Sequence, residues 1–215
     1  STAMVAGGPY PVALALAAGL AVGMACGAVS GFAVSRFNVP AFVATLGMLS
    51  AARGLTLIYA GGKPVPELSD AYRWIGTADV AGIPMPVIAF AIVFLVALWV
   101  LTSTRFGRHV YAAGGNPHAA KVSGISVPRV RLMVYVISGG LAGFAGMMLA
   151  ARTGSALTQA GIAYELDAIA AVVIGGTSLA GGIGKVTGTV IGALLIGVMN
   201  NGLDLIGVES YYQQV

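Results

Sequence analysis

Few side chains in this sequence have the types and spacing that chemistry requires. The two histidines, His109 and His118, lie in a basic loop whose composition does not suggest a metal site. Glu165 and Asp167 are two residues apart, so on a helix they would point about 200° apart and could not act as a carboxylate pair. The glycine-rich run 175–182 lacks the Lys-Ser/Thr ending of a phosphate-binding loop. We therefore expect no catalytic residue, no metal ion and no cofactor in this chain.

The composition determines what kind of elements can hold these residues. Of the 215 residues, 58% are hydrophobic and only 8% are charged, whereas about 25% are charged in a typical soluble domain. The mean hydropathy is +0.91. So few charges cannot cover a soluble surface, and the dominance of apolar residues excludes disorder. The sequence therefore predicts an all-α integral membrane protein, in which Cys26, as the single cysteine, forms no intrachain disulfide.

The apolar segments predict a polytopic bundle of about six membrane spans. A helix needs about 20 apolar residues to cross the hydrocarbon core. Arg53 interrupts one of the segments, but its long side chain can snorkel outward. One further segment, 165–183, begins with two acids and ends in glycines, so we expect it to be broken or re-entrant. The five clearer segments are 12–34, 40–60, 84–104, 132–151 and 187–206.

Lysine and arginine predict the orientation of the bundle. If all six segments cross, one side of the membrane holds seven of these residues and the other side holds four. The positive-inside rule then makes loop 105–131 cytoplasmic and segment 61–83 external. The seven residues on the cytoplasmic side are Arg36, Arg105, Arg108, Lys121, Arg129, Arg131 and Lys185.

Glycines at four-residue spacing predict close contacts between the spans. Small residues at this spacing allow helix backbones to approach in lipid. Ordinary bundle packing and sliding surfaces of a transporter both explain the pattern. The glycines concerned are Gly19, Gly23, Gly27 and Gly31, then Gly139 with Gly143, and Gly188 with Gly192.

The basic loop 105–131 contains a short capped helix. Asn116 is a good N-cap and Pro117 a good first residue, and Gly124 is a good stop, so a helix is predicted at 117–123. Such a helix is too short to be stable alone. It could dock into a groove on a partner, with Ala120 facing that groove, or it could lie on the bilayer surface.

Four blocks of the sequence resemble those of a known protein family. The sequences YAAGGNPHAAKVSGI (111–125), SGGLAGFAG (138–146) and SRFNVPAFVATLGMLSAARG (35–54) are similar to those of the bacterial ribose-type ABC sugar permeases. The long run 164–213, beginning YELDAIAAVVIGGTSLAGG, resembles the same family, and branched-chain amino-acid permeases share looser forms of these blocks. The resemblance covers essentially the whole chain.

The resemblance implies the transmembrane subunit of an ABC importer in a bacterial inner membrane. It implies a second permease copy, a cytoplasmic ATPase that carries ATP and magnesium, and a periplasmic binding protein that delivers a monosaccharide. Residues 1–215 would form a single transmembrane permease domain that is truncated at both ends relative to the family. We expect the outer loop 61–83, with Glu67, Asp70, Arg73 and Asp79, to receive the binding protein.

The resemblance and the residues together define the candidate site. We expect ATP-driven closure of the ATPase to move the helix in the basic loop as a lever, with Gly114 and Gly115 setting its angle. The coupling residues are Gly114, Gly115, Asn116, Pro117, Ala119, Ala120, Lys121, Ser123 and Gly124. The pathway candidates, chosen because a neutral sugar needs hydroxyl and amide groups, are Asn38, Thr177, Ser178, Asn200 and Asn201. The gate or hinge glycines are Gly175, Gly176, Gly181, Gly182 and Gly184, and Glu165 and Asp167 lie at the outer mouth.

Three other functions compete with this hypothesis, and one of them, a structural membrane scaffold or channel, is disfavoured by the broken glycine-rich span. A permease of the same family could carry another small polar solute, such as an amino acid. An ion-coupled secondary transporter would need a titrating carboxylate deep in a span, but the acids of this sequence, including Asp204, lie near the predicted outer boundary. Dependence of transport on an ATPase separates the importer from the secondary transporter.

Overall fold

The computed structural model describes residues 12–66 and 68–207, so that Glu67 and the side chain of Asp204 lie outside the described part. The chain folds into nine helices and one short hairpin over these residues. The elements in chain order are α1 (Val12–Phe37), α2 (Ala41–Ala60), α3 (Asp70–Thr77), β1 (Asp79–Val80), β2 (Ile83–Pro84), α4 (Met85–Ser103), α5 (Arg105–Gly115), α6 (Pro117–Val122), α7 (Val127–Thr153), α8 (Tyr164–Ile174) and α9 (Val186–Leu205).

Five of the helices, α1, α2, α4, α7 and α9, are long and apolar enough to cross a membrane. They match the five clearer segments of the sequence, and the predicted polytopic helical class is confirmed. Helix α8 has only 11 residues, a rise of about 16 Å against a hydrocarbon core of about 30 Å. A glycine-rich loop at 175–185 follows it, so the prediction of a broken segment is confirmed as well.

The described residues fall into two compact units. The first contains residues up to 93 together with 126–160, and the second contains 94–125 together with the residues from 161 onwards. Helix α4 contributes residues to both. Each unit packs separately, and each contains different residues of the candidate site.

Helices α1 and α7 form the centre of the first unit, and glycine brings their backbones together. A Cβ atom on Gly23 would collide with the carbonyl of Gly139, and one on Gly27 would collide with the backbone of Tyr135. The close approach therefore requires glycine on both helices. The predicted packing role of the four-residue glycine spacing is seen directly in these contacts.

The segment between α2 and α4 folds into a small cap, which the sequence did not lead us to expect. Helix α3 packs against α7, and Val65 pairs with Ala156 in an antiparallel bridge. Tyr72 is the largest fully buried side chain, and its hydroxyl donates a hydrogen bond to the Met147 carbonyl at 3.3 Å. The buried cluster around it contains Ala15, Leu68, Met147 and Ala151.

Helices α8 and α9 form an antiparallel hairpin in the second unit. A Cβ atom on Gly188 would meet the carbonyl of Gly175, and one on Gly192 would meet the carbonyl of Ala171. The two helices therefore approach at backbone distance along this stretch. This contact holds the glycine-rich loop between them in a defined position.

Candidate functional site

The short helix in the basic loop forms as the sequence predicts. The side-chain oxygen of Asn116 accepts a hydrogen bond from the Ala119 amide at 3.0 Å, which caps the first turn of α6, and Pro117 follows as the first helical residue. Gly124 has a φ of +83°, and the Ile125 amide bonds to the Ala120 carbonyl at 2.9 Å. These local bonds stop the helix after Val122.

A second helix, α5, precedes α6, and our sequence analysis missed it. Thr104 caps it by accepting a hydrogen bond from the Gly107 amide at 3.2 Å. A threonine three residues before the bonded amide was the signal that could have revealed this helix start. Helices α5 and α6 pack against each other, so α6 is not an isolated element.

The burial of α6 corrects our expectation for its partner-facing residue. Ala120 is only 4% exposed and packs inside its own chain, so it cannot face a partner groove. Val122 is 78% exposed, and Ala119 and Lys121 are exposed beside it. The exposed residues beside Val122 are therefore the ones that a partner of this helix could contact.

The glycine-rich loop lies directly against the end of α5. The hydroxyl of Tyr111 donates a hydrogen bond to the Gly184 carbonyl at 2.8 Å. A Cβ atom on Gly114 would lie 2.7 Å from the Gly182 nitrogen. The backbone of Gly114 is not in the left-handed region. Close approach to the loop is thus a reason for glycine at this position, and its role in setting a lever angle stays a prediction.

The predicted hinge glycines hold a tightly folded loop. Gly176, Gly181 and Gly182 have φ values of +82°, +95° and +75°, which side chains other than glycine rarely adopt. Gly175 instead lies against the backbone of α9, and a Cβ atom on Gly184 would be 2.8 Å from the Thr177 side chain. Gating by this loop stays a prediction.

Four of the five pathway candidates belong to the second unit. Thr177 packs beside Gly184 in the loop, and the Ser178 hydroxyl accepts a hydrogen bond from the Ala180 amide at 3.2 Å. Asn200 lies 14 residues beyond the start of α9, about 21 Å along the helix. Asn201 beside it is exposed. Their role in a pathway stays a prediction.

The remaining candidate, Asn38, belongs to the first unit. It has a φ of +52° between α1 and α2, a conformation that asparagine tolerates better than most residues. It lines a cavity of about 410 Å³ together with Arg131 and Tyr135. Asn38 is thus a pathway candidate that the structure places at a cavity.

A larger groove of about 470 Å³, lined by both apolar and polar side chains, lies in the first unit between α1, α2 and α7. This groove could not be predicted from the sequence, because its residues are distributed over three spans. Its polar lining includes Ser30, Thr45, Arg53, Thr56, Tyr135 and Ser138, and the segment after α7 adds Thr158. Arg53, which we expected to snorkel outward, is half-buried at this groove.

The predicted outer-mouth and outer-loop residues are exposed. Glu165 and Asp167 occupy the first turn of α8, where negative charge is favourable at a helix N-terminus. Asp70 and Asp79 are exposed on the cap, while the guanidinium of Arg73 lies close to Gly154. Glu67 cannot be placed with them because it lies outside the described residues.

A bundle of apolar spans, with a capped helix attached to a broken segment, defines a membrane protein of the permease class. Comparison of the whole sequence with known protein families identifies the family. The family described as "Branched-chain amino acid transport system / permease component" matches residues 1–215, and the chain belongs to this family. It is a multi-pass inner-membrane protein.

Several of the similar proteins are permeases named for sugars. The chain is 50% identical over 206 residues to the ribose import permease protein RbsC of Escherichia coli K12, covering 94% of this chain and 64% of that protein. It is 48% identical over 189 residues to RbsC of Bacillus subtilis 168, covering 86% of this chain and 58% of that protein.

A third relative, the D-allose transport system permease protein AlsC of Escherichia coli K12, is 43% identical over 209 residues, which cover 97% of this chain and 64% of that protein. The chain therefore spans less than two thirds of the length of these relatives. No solved structure matches the chain.

Proposed function

We propose that this chain is the transmembrane permease subunit of an ATP-driven ABC importer and forms the pathway for a ribose-like monosaccharide. The support for the sugar is the identity of 43–50% to permeases named for ribose and D-allose. The family description names branched-chain amino acids, so a small polar solute such as an amino acid is the second candidate substrate.

The attachment of α6 to the glycine-rich loop is the observation that supports this function best. Val122 and its exposed neighbours offer a surface for a partner, and α6 packs on α5. Helix α5 in turn holds the loop through the Tyr111 hydrogen bond and the Gly114 contact. A displacement of α6 by a partner would therefore reach the loop between α8 and α9, as alternating access requires.

The partners of this importer are part of the proposal. A cytoplasmic ATPase would bind the exposed face of α6 and would carry the ATP and magnesium, so this chain would need no cofactor. A second permease copy would complete the pathway in the bilayer. A periplasmic binding protein would dock on the opposite side, at the cap that carries Asp70 and Asp79.

The decisive experiment uses the full-length protein with its ATPase and binding protein in proteoliposomes. We expect ribose uptake only when the ATPase is present, and we expect Val122→Glu to abolish the stimulation of ATP hydrolysis by the loaded binding protein. Val122→Thr keeps the size of the side chain without the charge and serves as the matched control. Uptake without the ATPase would contradict the proposal, and uptake of an amino acid in place of ribose would establish the second candidate.

A further inference from the structure

Polar side chains from three spans converge on the groove between α1, α2 and α7. On α2 the lining residues recur every three or four positions, as Thr45, then Leu49 and Arg53, then Thr56. Tyr135 and Ser138 follow the same helical spacing on α7. In a membrane, polar side chains within spans face the bundle interior or a water-filled cavity. The convergence therefore indicates a hydrated space.

The hydroxyl groups of this groove are arranged as hydrogen-bond acceptors. Ser30 donates its proton to the Cys26 carbonyl at 3.1 Å, Thr45 to the Ala41 carbonyl at 3.0 Å and Thr56 to the Ala52 carbonyl at 2.8 Å. Because each proton points at its own helix, the oxygen lone pairs remain for a ligand that donates hydrogen bonds.

Arg53 supplies the complementary donors. A guanidinium has five N–H groups, cannot accept a hydrogen bond and stays charged. It is the 13th of 20 residues in α2, so its Cα lies about 10 Å from the end of that helix, within the hydrocarbon depth. Among the described residues, no Asp or Glu lines the groove.

The Arg53 guanidinium donates hydrogen bonds, and the hydroxyl oxygens beside it accept them. This combination matches a neutral polyhydroxyl compound, because each sugar hydroxyl can both donate and accept a hydrogen bond. The positive charge of the guanidinium repels cations. We propose that the groove is a monosaccharide-binding station, and that Arg53 is its specificity-determining residue, donating N–H groups to sugar oxygens. This proposal rests on the proposed function as a sugar permease.

The native Cys26, which lines the groove, provides a test that does not depend on transport. The full-length protein, with any cysteine outside residues 1–215 changed to serine, is treated with an anionic or a cationic methanethiosulfonate reagent. We expect the anionic reagent to react faster with Cys26. Arg53→Gln should lower the anionic-to-cationic rate ratio by about tenfold, and Arg53→Lys should preserve it. Arg36→Gln is the matched control, because Arg36 is exposed at the end of α1 and does not line the groove.

Ribose uptake per ATP hydrolysed then tests the contact with the sugar. We expect Arg53→Gln to reduce this ratio strongly and Arg53→Lys to restore it only in part, since lysine keeps the charge but loses the fork of donors. An unreactive Cys26, an unchanged rate ratio in Arg53→Gln, or normal uptake by that variant would each overturn the proposal. Absence of ATP-dependent uptake in the wild type would instead overturn the proposed function, so the two failures are distinguishable.

Discussion

Two adjacent glycines at the end of α5 allow the contact between this helix and the glycine-rich loop to be tested. Gly114→Ala would place a methyl group 2.7 Å from the Gly182 nitrogen, whereas the methyl group of Gly115→Ala would lie 3.9 Å from the Gly182 Cα. Neither glycine has a positive φ, and both end the same helix. The two substitutions therefore differ mainly in whether the new methyl group collides with the loop.

The size of the expected effect follows from the difference between these two distances. Ordinary van der Waals contact begins near 3.4 Å, so the loop would have to retreat by about 0.7 Å to accept Gly114→Ala. Overpacking of this kind costs about 1–3 kcal/mol. The gain in helix propensity from glycine to alanine, at most about 1 kcal/mol, is shared by both variants and cancels in the comparison. The remaining difference of about 1–3 kcal/mol corresponds to a factor of about 5–150 in a conformational equilibrium.

The assay is the number of ribose molecules taken up per ATP in proteoliposomes that contain the complete importer. We expect Gly114→Ala to lower this ratio by about fivefold or more, and Gly115→Ala to leave it near the wild-type value. Equal ratios for both variants and the wild type would refute the role of the contact. An equal decrease of the uptake-to-ATP ratio in both variants would instead show that α5 needs flexible glycines at its end.

The remaining predictions concern three other contacts. Tyr111→Phe removes the 2.8 Å hydrogen bond to the loop and should destabilise this contact by about 1 kcal/mol, measured as a lower uptake-to-ATP ratio with normal membrane insertion. Burial raises the pKa of Tyr72 to about 12. The folded state therefore keeps the proton when the unfolded chain loses it near pH 10, and stability should fall as the pH rises from about 10 to about 12. In detergent, unfolding of Tyr72→Phe should lack that decline, and a decline identical to that of the wild type would contradict the assignment. Gly23→Ala forces a methyl group into the backbone of α7 and should cost about 1–3 kcal/mol, measured as a lower unfolding temperature, with the open position Gly47→Ala as the control.

Features that depend on neighbouring residues in the chain could be predicted from the sequence. The apolar runs predicted five spans to within about five residues at each end, because hydrophobic length alone sets a membrane helix. Asn116, Pro117 and Gly124 predicted α6, because capping bonds join residues a few positions apart. The similarity of the long run 164–213 to the ribose-type permeases also needed no structure.

Features that depend on distant residues were decided by the tertiary structure. Ala120 and Val122 are both small, apolar and two positions apart, yet only packing buries the first and exposes the second. Gly114 looks like a flexible joint in the sequence, but the structure places its backbone against Gly182, 68 positions away. Arg53 looks like a residue that snorkels outward, but the structure places it at a groove whose lining also includes Ser30 of α1 and Ser138 of α7. Periodicity shows which residues share one helix face, but only the packing of several helices shows which residues that face contacts.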